Sequence, residues 1–250
     1  MKIAACIKRV PDMEQRFKIG PDGKGVDPAG LRYDMGDFDG YAVEVALQLV
    51  EKQGPGEVVV IALGPDGVQE TLRKALGMGA DRAVHLQADA APFDGSAVAH
   101  ALAEELRDGS YDLVLFGRQA TDTGSGTVGP MTAHRLGFPC VTSIVKLDIA
   151  GGKGTARREL EGASEVVSFP LPAVLTIDEG LARARLPSLK GIMAAKKKPL
   201  EVRPARLGQA RLTVEAMELP AERVAGRILG EGAGAVPELV RLLQTEAKVL

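Results

Sequence analysis

The stretch from Glu57 to Leu63 restricts this chain most: it reads Glu-Val-Val-Val-Ile-Ala-Leu, with no alternation of apolar and polar residues. A strand with one wet face alternates, whereas an uninterrupted β-branched run is covered on both faces. Tyr111 to Phe116 has the same character, and Lys2 to Lys8 is a third apolar strand, closed by charge. Helical patterns stand between them. Asp39 to Gln53 places Glu44, Gln48, Glu51 and Lys52 on one face, and Gly54-Pro55-Gly56 stops it. Val68, Leu72, Ala75 and Leu76 mark a second helix, Arg82 to Leu86 a short strand, and Ser96 to Arg107 a third helix. Alternating strands and helices predict an α/β fold: a mostly parallel, open, Rossmann-like sheet with helices on both faces, of the kind that binds adenine nucleotides. Ligands in such folds lie beyond the carboxyl ends of the strands. Three loops are expected there: Val10 to Met13, Gly64 to Gly67, and Gly117 to Pro130.

Past residue 140 the pattern changes. Val141 to Leu147, Thr155 to Leu160 and Glu165 to Phe169 read as an antiparallel addition to the sheet, and Ala173 to Ile177 as one more buried strand. From Asp178 periodicity fades, and a last helix is expected from Val236 to about Lys248. Residues 1–180 therefore read as one α/β domain with its antiparallel extension. Residues 181–250 read as an arm that packs on something else, such as another subunit.

The charge balance is 31 Lys plus Arg against 33 Asp plus Glu, with no Trp and few aromatics. Neither a basic field nor base-stacking platforms point to nucleic acid. No segment has the length of a membrane span, and the N-terminal apolar run is too short for a signal peptide, so a cytoplasmic protein with no membrane insertion is expected. Cys6 and Cys140 read as two reduced, buried thiols.

The stretch Gly117 to Pro130 carries the most chemistry. It follows a buried strand, precedes a helix start at Met131, and contains Thr121, Asp122, Thr123, Gly124, Ser125, Gly126, Thr127, Val128 and Gly129. Strand, then a loop rich in glycine and hydroxyls, then a helix start holds anions on backbone N–H groups. Gly124 to Gly129 also matches G-x-G-x-x-G, but seven residues separate it from the strand, where a dinucleotide fingerprint follows at once. A mononucleotide or phosphate cradle is the preferred reading; a dinucleotide site and a loop without ligand stay open. There is no P-loop and no nucleophile elbow. His85, His100 and His134 are isolated, so no metal site is expected, and each reads as a surface or helix-packing residue. Asp37 or Asp39 is a helix N-cap or a polar contact to a nucleotide over the sheet edge. Lys196-Lys197-Lys198 reads as solvated. The preceding Leu186 to Met193 is more apolar than a surface loop needs to be, which suits a docking element.

These pieces together resemble the beta subunits of bacterial electron-transfer flavoproteins. The resemblance rests on Ile7 to Asp12, Gln69 to Thr71, Ala75 to Arg82, Gly117 to Ala120, Asp122, Gly129 to Ala133, Arg158 to Gly162, Leu171 to Thr176, and Leu189 to Glu201. It implies an electron carrier, not an enzyme, in a heterodimer whose alpha subunit holds most of a redox-active FAD. It implies a structural AMP at Cys6, at Gly36, Asp37, Phe38 and Asp39, at Leu63, along Thr121 to Gly129, and at Met131 and Thr132. Met13, in the loop Val10 to Met13, is expected near the FAD. A recognition loop with Leu189 as anchor, followed by Ile192 and Met193, is implied to dock acyl-CoA and related dehydrogenases. Electrons then pass to a membrane quinone oxidoreductase. Departures from the family pattern are Lys190 in place of a common Pro, Ala194 in place of a modifiable lysine whose companion Lys197 is kept, and Ala163 within the signature. A bifurcating form with a second FAD in place of AMP, and a nucleotide-dependent dehydrogenase, are the alternatives.

Overall fold

The computed structural model describes residues 1–222 and 225–250. Two compact units divide them, Met1–Ala216 and Met217–Leu250. The first begins with strand β1 (Lys2–Cys6), a hairpin of β2 (Arg9–Pro11) and β3 (Tyr33–Met35), helix α1 (Asp37–Gln53), β4 (Glu57–Gly64), α2 (Val68–Met78) and β5 (Arg82–Gln87). It continues with α3 (Gly95–Leu106), β6 (Leu113–Gly117), α4 (Val128–Leu136), β7 (Cys140–Ala150), β8 (Lys153–Leu160), β9 (Ala163–Pro170) and β10 (Ala173–Ile177), then α5 (Leu189–Ala195) and β11 (Leu200–Pro204).

Nine strands form one sheet in the order β11-β5-β4-β1-β6-β10-β7-β8-β9. Pairing is parallel from β11 to β7 and antiparallel from β7 through β9. The strands expected to be covered on both faces are so covered: β4 is buried from Val58 to Gly64 and β6 throughout. One face carries α1, α2 and the end of α5, through Val43, Leu47, Leu72 and Leu76. The other carries α3 and α4, through Leu102, Leu106 and Ala133. Each such Val or Leu side chain, removed from water, contributes about 1.5–3 kcal/mol before the entropy cost of ordering it.

Three features depart from the sequence reading. The segment after Asp178 is not featureless: it forms α5 and supplies β11, the ninth strand, at the sheet's far edge. β11 is largely exposed and carries Glu201 and Arg203, so it has none of the apolar continuity that marks an interior strand. Cys140 is exposed, not buried. His85 is not a surface residue: it lies fully buried on β5, its Nε2 2.8 Å from the carbonyl of Gly64 and its Nδ1 3.5 Å from Nε2 of Gln69 on α2.

The second unit contains α6 (Val236–Leu242), continued by a wider turn over Leu243–Ala247, close to the expected helix. Among the described residues no helix is long and apolar enough to cross a membrane, and no cluster of metal-ligating side chains occurs.

Candidate functional site

The strand order reverses at β1: the chain proceeds outward through β4 and β5, then returns to place β6 on the other side of β1. Strands diverge toward helices on opposite faces at such a point and leave a crevice at their carboxyl ends. A pocket opens there. Cys6, Ile7 and Lys8 leave β1, Phe116 to Ala120 leave β6, and Thr123 together with Ser125 to Gly129 form its rim.

Three glycines let the backbone close around it. A Cβ on Gly117 would lie 2.5 Å from Oδ1 of Asp39 and 2.7 Å from the backbone of Phe38. Only glycine lets the end of β6 meet the first turn of α1 this closely. Gly126 has φ of +60° and turns the loop back toward Arg118. Gly129 seats α4 on the sheet, because a Cβ there would lie 2.8 Å from Cγ2 of Thr176.

Asp39 is the buried polar centre. Its Oδ2 accepts from the backbone N–H of Lys8 at 2.7 Å, and its Oδ1 accepts from that of Gly117 at 3.2 Å. One carboxyl thus ties the ends of β1 and β6 to α1. Neither expected aspartate is the N-cap, which is Gly36; Asp37 and Asp39 lie in the first turn, where the helix dipole favours acids. Burial pushes the Asp39 carboxyl up to about 7, against the N–H groups of Lys8 and Gly117, which favour its charged form. Burial likewise pushes the Cys6 thiol up, so it lines the pocket as an unreactive apolar group. The Lys8 ammonium reaches Asp122 at 2.7 Å and clamps the loop over the strand end. Arg118 stacks 5.1 Å over the Phe38 ring and pairs with Asp178 at 3.1 Å.

The pocket lining combines two kinds of chemistry. One is the hydroxyls of Thr123, Ser125 and Thr127 with the start of α4, whose first N–H groups have no acceptor within the helix. The other is the apolar set Leu63, Phe93, Val98, Leu102 and Phe116. Ala91 to Phe93 come from a fourth carboxyl-edge loop, the one after β5, beyond the three expected from the sequence. The signal was present, since a parallel strand at Arg82–Gln87 must also send its loop to that edge.

Of the residues expected around AMP, Cys6, Asp39, Leu63, Thr123, Ser125, Gly126, Thr127, Val128 and Gly129 line this pocket. Gly36, Asp37 and Thr121 instead line a neighbouring depression with Val10 to Glu14, so Met13 lies beside them there. Phe38 packs edge-on to Tyr41. Asp122 serves Lys8, and Gly124 takes φ of +62° at the loop tip. Thr132 is fully buried and donates its hydroxyl to the carbonyl of Val128, while Met131 is exposed on α4.

Leu189, Ile192 and Met193 lie on α5, not on a loop, and are exposed, as is Leu186. Ser188 caps the helix by accepting from Gly191 N at 3.0 Å. A Cβ on Gly191 would lie 2.3 Å from the carbonyl of Gly77, so this glycine sets α5 directly on α2. Lys198 is not solvated as expected: its ammonium donates to the carbonyls of Leu76, Gly79 and Ala80 at the end of α2. Lys196 and Lys197 are exposed. Upstream, the Arg185 guanidinium grips Glu44 at 2.7 and 2.9 Å and Glu51 at 2.6 and 3.0 Å. Glu44, placed by its period on a polar face, is in fact buried beneath that arginine.

A doubly wound sheet with a pocket of mixed apolar and hydroxyl lining at its switch point defines the class: a Rossmann-like α/β protein. The match to known proteins is more particular. Residues 25–207 match the model of the electron transfer flavoprotein domain. The beta subunit of the electron transfer flavoprotein of Bacillus subtilis is 38% identical, with all of both chains covered. That of Oryza sativa, a mitochondrial one, is 39% identical over all of both chains. The human beta subunit is 38% identical over 90% of this chain and 91% of its own length. The chain belongs to the electron transfer flavoprotein family, among its beta subunits.

Proposed function

We propose that this chain is the nucleotide-binding and partner-docking half of a heterodimeric electron carrier, with AMP as a structural ligand in the switch-point pocket. The observation that carries this reading is the pocket's division into an apolar wall and a hydroxyl- and N–H-rich rim. Leu63, Phe93 and Phe116 suit a flat base; Ser125, Thr127 and the start of α4 suit a phosphate. Fit is also a matter of space. Gly117, Gly126 and Gly129 keep the cradle's backbone bare where side chains would fill or distort it. A ligand present at 100 times its dissociation constant adds about 2.7 kcal/mol to folding, which is a structural nucleotide's role.

The redox chemistry belongs to FAD, held mainly by the alpha subunit, which accepts and passes on electrons. This chain's contribution to that site is the loop Val10 to Met13, where the half-exposed Met13 stands at an open depression that a second chain would roof. The exposed Leu189, Ile192 and Met193 dock acyl-CoA and related dehydrogenases, and the part of the expected 181–250 arm that lies beyond Ala216 packs on the alpha subunit. Electrons leave toward a membrane quinone oxidoreductase, and the complex works in the cytoplasm. The chain alone turns nothing over.

The test is co-expression with the alpha subunit, followed by mass spectrometry of the nucleotides released on denaturation. One AMP and one FAD per heterodimer are expected. Two FAD and no AMP would replace this reading with the bifurcating form. Turnover of NAD by this chain alone would replace it with a dehydrogenase.

A further inference from the structure

The loop between β5 and α3 holds a residue that faces two ways. Asp94 sits between Phe93 and Gly95, both of which line the pocket. Its Oδ1 accepts from Ser96 N at 2.8 Å and caps α3. Its Oδ2 accepts from the backbone of Arg211 at 2.5 Å and of Leu212 at 3.3 Å. Those two residues belong to the extended segment after β11, which is mostly exposed. Its other anchors are also backbone bonds: Ala205 N donates to Gln87 O at 2.8 Å, and Gly208 N to Ala97 O at 3.3 Å. The anchors therefore land on the last residue of β5, on the loop that follows it, and on the first turn of α3. A segment with little buried apolar area opens easily, and its order follows that of its anchors.

Two of those anchors, Asp94 and Ala97, adjoin residues that line the pocket, Phe93 and Gly95 on either side of Asp94 and Val98 after Ala97. A Cβ on Gly95 would lie 3.0 Å from Oγ1 of Thr127 and 3.4 Å from Cγ2 of Val128, so the start of α3 is in near contact with the rim of the cradle. Asp94 itself is buried, and its N–H donors, that of Arg211 foremost, hold its carboxyl below the usual carboxylate range. It is a charged acceptor with one oxygen on the N-terminus of α3 and the other on the segment.

We propose that Asp94 is a positioning residue that couples the pocket to residues 205–212: a ligand that fixes Phe93 to Gly95 also fixes the carboxylate that holds the segment. The proposal rests on the nucleotide reading above. Coupling of this kind is reciprocal. Whatever holds the chain beyond Leu212 in place must also tighten the pocket.

Hydrogen exchange of the full chain, with and without AMP, tests it, together with Asp94→Ser, which keeps a hydroxyl cap for α3 and removes the acceptor for the segment. In the unaltered protein, AMP is expected to slow exchange across 205–212 about fivefold or more. In Asp94→Ser the segment exchanges quickly with or without AMP, and the dissociation constant for AMP rises by at least about fivefold. AMP binding that leaves exchange at 205–212 unchanged overturns the coupling and spares the nucleotide pocket. So does a variant with a freed segment and unchanged affinity for AMP. Failure of AMP to bind the unaltered protein at all would overturn the nucleotide reading and the coupling with it. The exchange comparison on the unaltered protein decides the matter even where the variant does not fold.

Discussion

The segments that follow β6 and β10 start from the same line and end as opposites. The two strands pair in parallel with Gly117 opposite Ile177, and Arg118 N donates to Ile177 O as both chains leave the sheet. After β6 the chain is made of glycine and short hydroxyl residues. It curls inward, closes on α1 through Gly117, and makes a concavity. After β10 the chain runs extended, is gripped by Arg185 on Glu44 and Glu51, and settles on α2 through Gly191. There it presents Leu186, which is 87% exposed, and Leu189, which is 85% exposed. Small side chains with close backbone approach build a concave pocket. Long ion-paired side chains with an underlying glycine contact build a platform that leaves its apolar residues exposed.

The harshest break in this comparison is Gly117→Ala. Its methyl meets Asp39 and the backbone of Phe38, so about 3 kcal/mol of stability should be lost in urea unfolding, with loss of retained nucleotide. Hydrogen exchange in α5 should stay as it was; a change there would show that the two regions are not independent. Next comes Arg185→Met, which strands the buried Glu44 without its cation. Breaking a buried pair costs 3–5 kcal/mol, and partial exposure of Arg185 reduces this to about 2 kcal/mol. Burial alone would raise the Glu44 carboxyl, yet the Arg185 guanidinium outweighs it and holds Glu44 below its ordinary range. That stabilisation is present above the ordinary glutamate range and lost as pH falls through the lowered value. In Arg185→Met the loss on acidification should be smaller, while nucleotide content is unchanged.

Asp39 gives the opposite sign. Burial raises its carboxyl to about 7. A raised acid contributes stability that is complete below its unfolded value and disappears as pH rises through the folded one. Unfolding free energy should therefore fall between roughly pH 4 and 7 by about 1 kcal/mol per pH unit from this group. Asp39→Asn should lack that slope; an unchanged pH profile would show that Asp39 does not titrate in this range. Leu189→Ala has the smallest effect on the fold, within about 0.5 kcal/mol for so exposed a residue. Electron transfer from dehydrogenase partners should nonetheless slow. Unchanged rates with every partner would remove Leu189 from the docking surface.

How much of this was legible beforehand varies by region. Val58 to Leu63 and Leu113 to Phe116 announce buried parallel strands, because only burial on both faces accommodates such runs. The cradle was legible from its glycines and hydroxyls. Its apolar wall was not, since Ala91 to Phe93, Val98 and Leu102 carry no motif and gain a role only where β5 and α3 place them. The hairpin of β2 and β3 was too short, at three residues a strand, to show a period. β11 is polar because it is an edge strand, and α5 is a short helix whose seat depends on a contact between Gly191 and Gly77, far apart in sequence.

The sequence by itself determined the doubly wound sheet, the antiparallel extension and the loop that forms one side of the pocket. Periodicity, apolar runs and turn chemistry are local properties. Only the tertiary structure decided that Asp39 joins three elements, that Glu44 is buried under Arg185, and that Asp94 caps α3 with one oxygen and holds the segment after β11 with the other. Burial and partner choice for a charged side chain depend on what the rest of the chain brings to it, and no window of sequence contains that.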